Sequence, residues 1–131
     1  MGVSQMTYYQ QGDVKLHPVG PEALISQVDR YFGGVRYKAG TTAALRDDLQ
    51  VAEGEATGHA HRVDMAADTT SPGARAEVHE LFGERFLIVT GGAVTLTHEE
   101  HGPQVIDPGT YRVDIVKEYD PFMRVTRLVA D

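Results

Sequence analysis

Punctuation constrains this chain more than any other feature. Its 14 glycines and 6 prolines stand mostly between short runs of β-branched and aromatic residues. Such runs leave little room for long helices, but they suit strands of about four to eight residues joined by tight turns. The expected class is mainly β: a small single-domain β-barrel or sandwich covering residues 1–131. A chain of 131 residues has room for one core and not comfortably for two.

Alternation places the strands. Val14 and Leu16 alternate with Asp13, Lys15 and His17, so Gly12–Val19 reads as the first. Others are expected at Leu49–Ala52, Gly58–Met65, Val78–Leu81, Phe86–Val89, Ala93–His98, Val105–Ile106, Tyr111–Val116 and Phe122–Val129. Gly83-Glu84 is expected to turn a hairpin, Gly91-Gly92 and Asp107-Pro108-Gly109 to make further turns, and residues 66–75 to form an exposed loop. One stretch has another period: Leu24, Val28, Tyr31 and Phe32 are spaced for one face of a short helix near residues 21–32, ended by Gly33-Gly34. Residues 35–48 give no clear pattern.

Composition then removes whole classes of chemistry. With no cysteine there is no disulfide, thiolate zinc site, iron–sulfur cluster or cysteine nucleophile. A cytoplasmic location is expected on that ground. The net charge of −7 argues against a general nucleic-acid binder, unless Arg30, Arg36 and Lys38 make a local basic patch. No apolar run is long enough for a membrane-spanning helix, and the N-terminal residues lack the basic and apolar regions of a signal peptide. Residues 54–58, GEATG, are not followed by the Gly-Lys-Ser/Thr of a phosphate loop, and neither a Gly-x-Ser-x-Gly elbow nor an HExxH helix is present.

The histidines carry the functional signal. Four of the 6 fall into two tight pairs, His59-Ala60-His61 and His98-Glu99-Glu100-His101. On a strand, His59 and His61 project from one face, near enough to converge on one metal ion. His98 and His101 would face each other directly across a tight Glu99-Glu100 turn; a longer loop with Gly102 in the left-handed position is favoured, and still leaves them near each other. Four imidazoles suit a divalent transition metal, namely zinc, iron, nickel or manganese. Glu53, Glu55, Asp64, Glu77, Glu99 and Glu100 are the candidate carboxylate complements. Glu99 and Glu100 are also the candidate catalytic residues, as general bases toward metal-bound water. The competing reading makes these histidines solvated hairpin tips or a pH-sensitive cluster. His17 is expected to be solvated. His79, on the face of Leu81, is a ligand candidate only from a neighbouring strand and not a preferred one, and Tyr111, Tyr119 and Asp120 are expected to be core and edge residues.

A β-rich domain with Gly54, then His59-Ala60-His61, then a later Pro108-Gly109 turn resembles the cupins over residues 54–116. That resemblance implies a small barrel that holds a metal through histidines. The cupin pattern asks for Glu at 65 or 66, where Met65 and Ala66 stand, with Asp64 one place short. It also asks for a histidine after the Pro-x-Gly turn, and none follows. The segments Gln11-Gly12-Asp13-Val14, GEATGHAH (54–61), LTHEEHGP (96–103) and PGTYRV (108–113) are similar to a group of short bacterial and phage proteins of no assigned activity. The expected function is metal binding, with metal-dependent chemistry on a small molecule. The alternative is a non-catalytic binding or accessory module with a structural metal or none. The expected partners are a small-molecule ligand and a second copy in a homodimer, with no nucleic acid and no membrane.

Overall fold

The computed structural model describes residues 8–53 and 60–115. Within them the chain is mainly β. The strands are β1 (Tyr9–Gln11), β2 (Val14–Val19), β3 (Arg30–Phe32), β4 (Val35–Tyr37), β5 (Ala44–Leu45) and β6 (Gln50–Ala52), then β7 (His61–Asp64), β8 (Arg75–Leu81), β9 (Glu84–Thr90), β10 (Val94–Thr97), β11 (Gln104–Ile106) and β12 (Gly109–Ile115). A 6-stranded sheet runs β1-β2-β12-β9-β8-β5, a 4-stranded sheet runs β11-β10-β7-β6, and β3 and β4 form a 2-stranded sheet of their own. Among the described residues these sheets do not close into a barrel. They pack as a sandwich.

Alternation explains the packing. Val14, Leu16, Val78, Leu87, Val89 and Tyr111 point inward from the larger sheet, and Val51, Val63, Val94, Leu96 and Ile106 meet them from the smaller one. Strand β7 shows the pattern most plainly: His61 and Val63 are buried, while Arg62 and Asp64 are exposed. Tyr111 reads as core, as expected. Its hydroxyl donates to the Asp107 carbonyl at 2.6 Å, and burial pushes its phenol above the ordinary tyrosine range.

Several expectations need correction. The helix near residues 21–32 reduces to a 3-10 turn at Pro21–Leu24, after which Ile25 bridges to Thr42 and Arg30–Phe32 become β3. Gly33 and Gly34, at φ +61° and +80°, make a two-residue turn that pairs Phe32 with Val35, which a helix through Phe32 cannot accommodate. The Ser26 hydroxyl also bonds the Val28 carbonyl, a local alternative to helical hydrogen bonding. The β8–β9 hairpin turns one residue earlier than expected, at Phe82-Gly83. The unpatterned 35–48 contain β4 and β5, too short to show a period. The expected strand at Phe122–Val129 lies outside the described residues.

Candidate metal centre

The register of the 4-stranded sheet decides which histidines meet. Strands β7 and β10 pair antiparallel with Val63 opposite Leu96 and Arg62 opposite Thr97. One step further along, His61 comes level with His98. Their rings stack, with centroids 4.2 Å apart and an interplanar angle of 29°. His101 closes the group, at 4.8 Å from His98 and 6.2 Å from His61. His61 is buried, His98 half-buried and His101 exposed, so the three rings lead from the core to the surface.

His98 and His101 lie near each other, but not as a directly opposed cross-strand pair. Strands β10 and β11 pair with Leu96 opposite Gln104, so neither histidine stands directly across from the other. They approach within the connecting loop, where the Glu100 N–H donates to Nδ1 of His98 at 3.0 Å. Gly102 does not adopt the left-handed conformation expected of it. That role is unnecessary when a histidine side chain holds the turn. Glu99 and Glu100 are exposed at the tip of this loop, and His59 and Glu55 lie outside the described residues.

Three neighbours that the sequence did not single out as site residues complete the group, all from the β1–β2 turn. Gln11 is 2% exposed, and its Nε2 donates to the carbonyls of Leu96 at 2.9 Å and Gly102 at 2.8 Å. With both amide hydrogens committed to carbonyls, its Oε1 must accept from Nδ1 of His61, 2.9 Å away. The proton of the neutral ring is thereby fixed on Nδ1, and Nε2 carries the lone pair. Nε2 lies 3.8 Å from Oδ1 of Asp13, beyond hydrogen-bond reach. Burial first, then the neighbouring His98 ring, push the His61 imidazole down to about 4 against the pull of Asp13. Two acceptors therefore lie close together beside the core, an arrangement that a cation between them would relieve.

Gly12 supplies the seat for His101. Its φ is +61°, and a Cβ placed there would lie 2.5 Å from Nε2 of His101. Only glycine lets the ring lie this close to the turn. Asp13 also lines an open groove of about 600 Å³, with Val51, Glu53, Glu84, Val113 and Asp114 among its walls.

The other candidate carboxylates have different partners. The Arg85 guanidinium, 2.8 Å from Glu53, holds that carboxyl below its ordinary range. Glu77 bonds His79 at 3.0 Å on the other sheet, where His17 also pairs with Asp114 at 3.1 Å. Asp64 points away from His61 and accepts the Ala66 N–H. Among the described residues no three His, Asp or Glu side chains converge on a point as metal ligands. The rings stack instead, and Nδ1 of His98 is engaged with Glu100.

Sequence spacing finds the histidines but not the β1–β2 turn, because the turn reaches them through sheet order. Its one signal is a polar Gln-Gly-Asp run immediately before an apolar alternation. The family model described as a domain of unknown function (DUF8820) matches residues 10–115, a span that includes every described residue of this centre. No curated protein and no solved structure matches the chain.

Proposed function

We propose, from the premise that the chain belongs to the DUF8820 family of domains of unknown function, that the domain binds a divalent transition metal at His61, with Asp13, His98 and His101 as the other donors. The carrying observation is the buried Nε2 of His61. It lies 3.8 Å from a carboxylate oxygen of Asp13, and its tautomer is fixed from the far side by Gln11. Histidines that ligate metals commonly donate their second ring N–H to a carbonyl or carboxylate in this way. The HxH element shared with the cupins supports the same reading, and the cysteine-free composition suits a site loaded in the cytoplasm.

The residues perform distinct tasks. Gln11 orients His61 and keeps Nε2 unprotonated. Asp13 adds negative charge and also lines the groove, on whose other walls no histidine of the centre stands. His98 must give up the Glu100 N–H to ligate, whether Nδ1 binds the ion itself or takes the ring proton so that Nε2 can, so loading reorganises the 98–103 loop. A bound metal would supply Lewis acidity, and Glu99 and Glu100 are the proton carriers nearest in sequence to the ligands.

The test is elemental analysis of the purified chain after reconstitution with zinc, nickel, iron or manganese, alongside amide NMR. We expect about one equivalent of metal, as a single site of this kind requires. It should be lost in the His61→Ala/His98→Ala double mutant, with the Glu100 amide signal displaced on loading. An unchanged stoichiometry in the double mutant, or no uptake by the wild type, refutes the assignment.

A further inference from the structure

Residues 24–43 leave the sandwich and return to it as a two-stranded arm. At its base the Ala43 N–H donates to the Leu24 carbonyl at 2.7 Å, the Ser26 N–H to the Thr41 carbonyl at 2.8 Å, and Ile25 bridges Thr42. Farther out β3 and β4 pair up to the Gly33-Gly34 turn. The arm contributes nothing to the core cluster. Yet among the described residues most of the exposed large apolar side chains lie on it or at its foot: Ile25, Val28, Tyr31, Phe32, Val35 and Leu45. An isolated two-stranded ribbon is marginal in water, so so much uncovered apolar surface on one points to a partner.

The arm is also held in place. Phe32 and Tyr37 pack on Phe82 with ring centroids 5.9 and 5.3 Å away, and the Arg30 guanidinium lies 5.0 Å over the same ring. Phe82 has φ 50° in a turn position that favours Asn or Gly. A phenylalanine kept in that unfavourable conformation serves to brace the arm. The register puts Arg30 opposite Tyr37 and Phe32 opposite Val35 on the face toward Phe82, and Tyr31 opposite Arg36 on the other. Tyr31 is 77% exposed.

Charge identifies the partner. The arm carries Arg30, Arg36 and Lys38 against Asp29, a net +2 within a chain of −7, which leaves −9 on the rest. We propose that the arm is a homodimerisation element. The outer face of one copy's arm, centred on Tyr31 and Arg36 and with the exposed Val28 at its approach, lies on the acidic body of a second copy, and the second arm lies on the first body. Reciprocal exchange is a closed two-fold arrangement, and two arms double the area that one would bury. That is the route by which a small domain reaches the roughly 1,200 Å² of a stable interface.

Sedimentation velocity of the full chain over a dilution series, at low and raised salt, tests this. The wild type should dimerise reversibly and more weakly as salt rises. Tyr31→Ser with Val28→Ser should raise the dimer Kd by about tenfold or more. Arg36→Glu, at an exposed guanidinium that also pairs with Asp29 of its own arm at 2.7 Å, should do the same and remove most of the salt dependence. Circular dichroism should be unchanged in both variants, because the core does not use the arm. A wild type that stays monomeric overturns the proposal, as does a dimer indifferent to both variants. So does a monomer that binds a single-stranded oligonucleotide through the same residues, which would make the arm a site for acidic polymers.

Discussion

Replacing Gln11 with leucine removes a side chain that satisfies three groups at once. Leucine is close in size and apolar, so the cost comes from what is left behind and not from a cavity. The Leu96 carbonyl loses a side-chain donor within the buried interior, 2.9 Å from the vanished Nε2. A buried polar group left without a partner costs about 1–3 kcal/mol. The Gly102 carbonyl sits in an exposed residue and regains water, so it adds little. His61 loses the acceptor for Nδ1 but has an escape: it can move its proton to Nε2 and donate toward Asp13. The expected loss is therefore about 1–2 kcal/mol, the scale of one buried hydrogen bond removed and well short of three. Urea unfolding measures it, with the m-value unchanged. Imidazole nitrogen NMR of the metal-free protein reads the tautomer, which should switch at His61 and at no other histidine. Metal affinity should fall about 10- to 100-fold, as for other lost supports of a ligand. If stability changes by less than about 0.5 kcal/mol and the tautomer stays on Nδ1, the Gln11 network does not set this site, and the reasoning fails.

Two further perturbations probe the same centre. In the metal-free protein the unfolded chain protonates His61 as pH falls through about 6.5, while the folded chain refuses that proton until about 4, so stability is full above this window and falls across it. The slope should reach about 1.4 kcal/mol per pH unit and be absent from a His61→Gln variant in urea titrations; parallel curves would exclude the effect. Gly12→Ala forces a Cβ to 2.5 Å from Nε2 of His101 at φ +61°, and the flexible ring yields before the backbone does. It should cost about 1–2 kcal/mol and lower metal affinity to the level of His101→Ala, with no further loss in the double mutant. An additive double mutant would show that Gly12 does not act through His101.

Strand positions were legible where short apolar alternations ended at Gly or Pro, as in Val78–Leu81 and Phe86–Val89, which fall inside β8 and β9. The arm at 24–43 was misread because four apolar residues spaced by four, three and one fit a helix face as well as a twisted hairpin. Only the consecutive positive-φ glycines at 33 and 34 separate the two. At the candidate site, spacing marked the histidines and the nearness of His98 to His101 but not which ring stacks on His61. The stack of His61 on His98 follows from β10 lying beside β7, a non-local neighbour that no local pattern announces. Gln11, Gly12 and Asp13 were invisible as site residues for the same reason. They sit at the edge of one sheet and act on a loop of the other.

That crossing is also why the centre and the fold should respond together. Gln11 belongs to β1, at the edge of the 6-stranded sheet, yet its hydrogen bonds go to β10, to the 98–103 loop and to β7 in the 4-stranded sheet. It fastens the two layers at the point where His61 enters the core. A ligand that holds His61, Asp13 and His98 together spans the same two sheets, so its binding energy opposes their separation directly. Binding to the folded state alone raises stability by about 2.7 kcal/mol at a free concentration of 100 Kd. That gain exceeds the loss expected from Gln11→Leu, so a loaded centre can substitute for the missing amide only to the extent that the variant still binds. The order of stability should therefore be loaded wild type, then free wild type, then the variant, with loading rescuing the variant less than it raises the wild type.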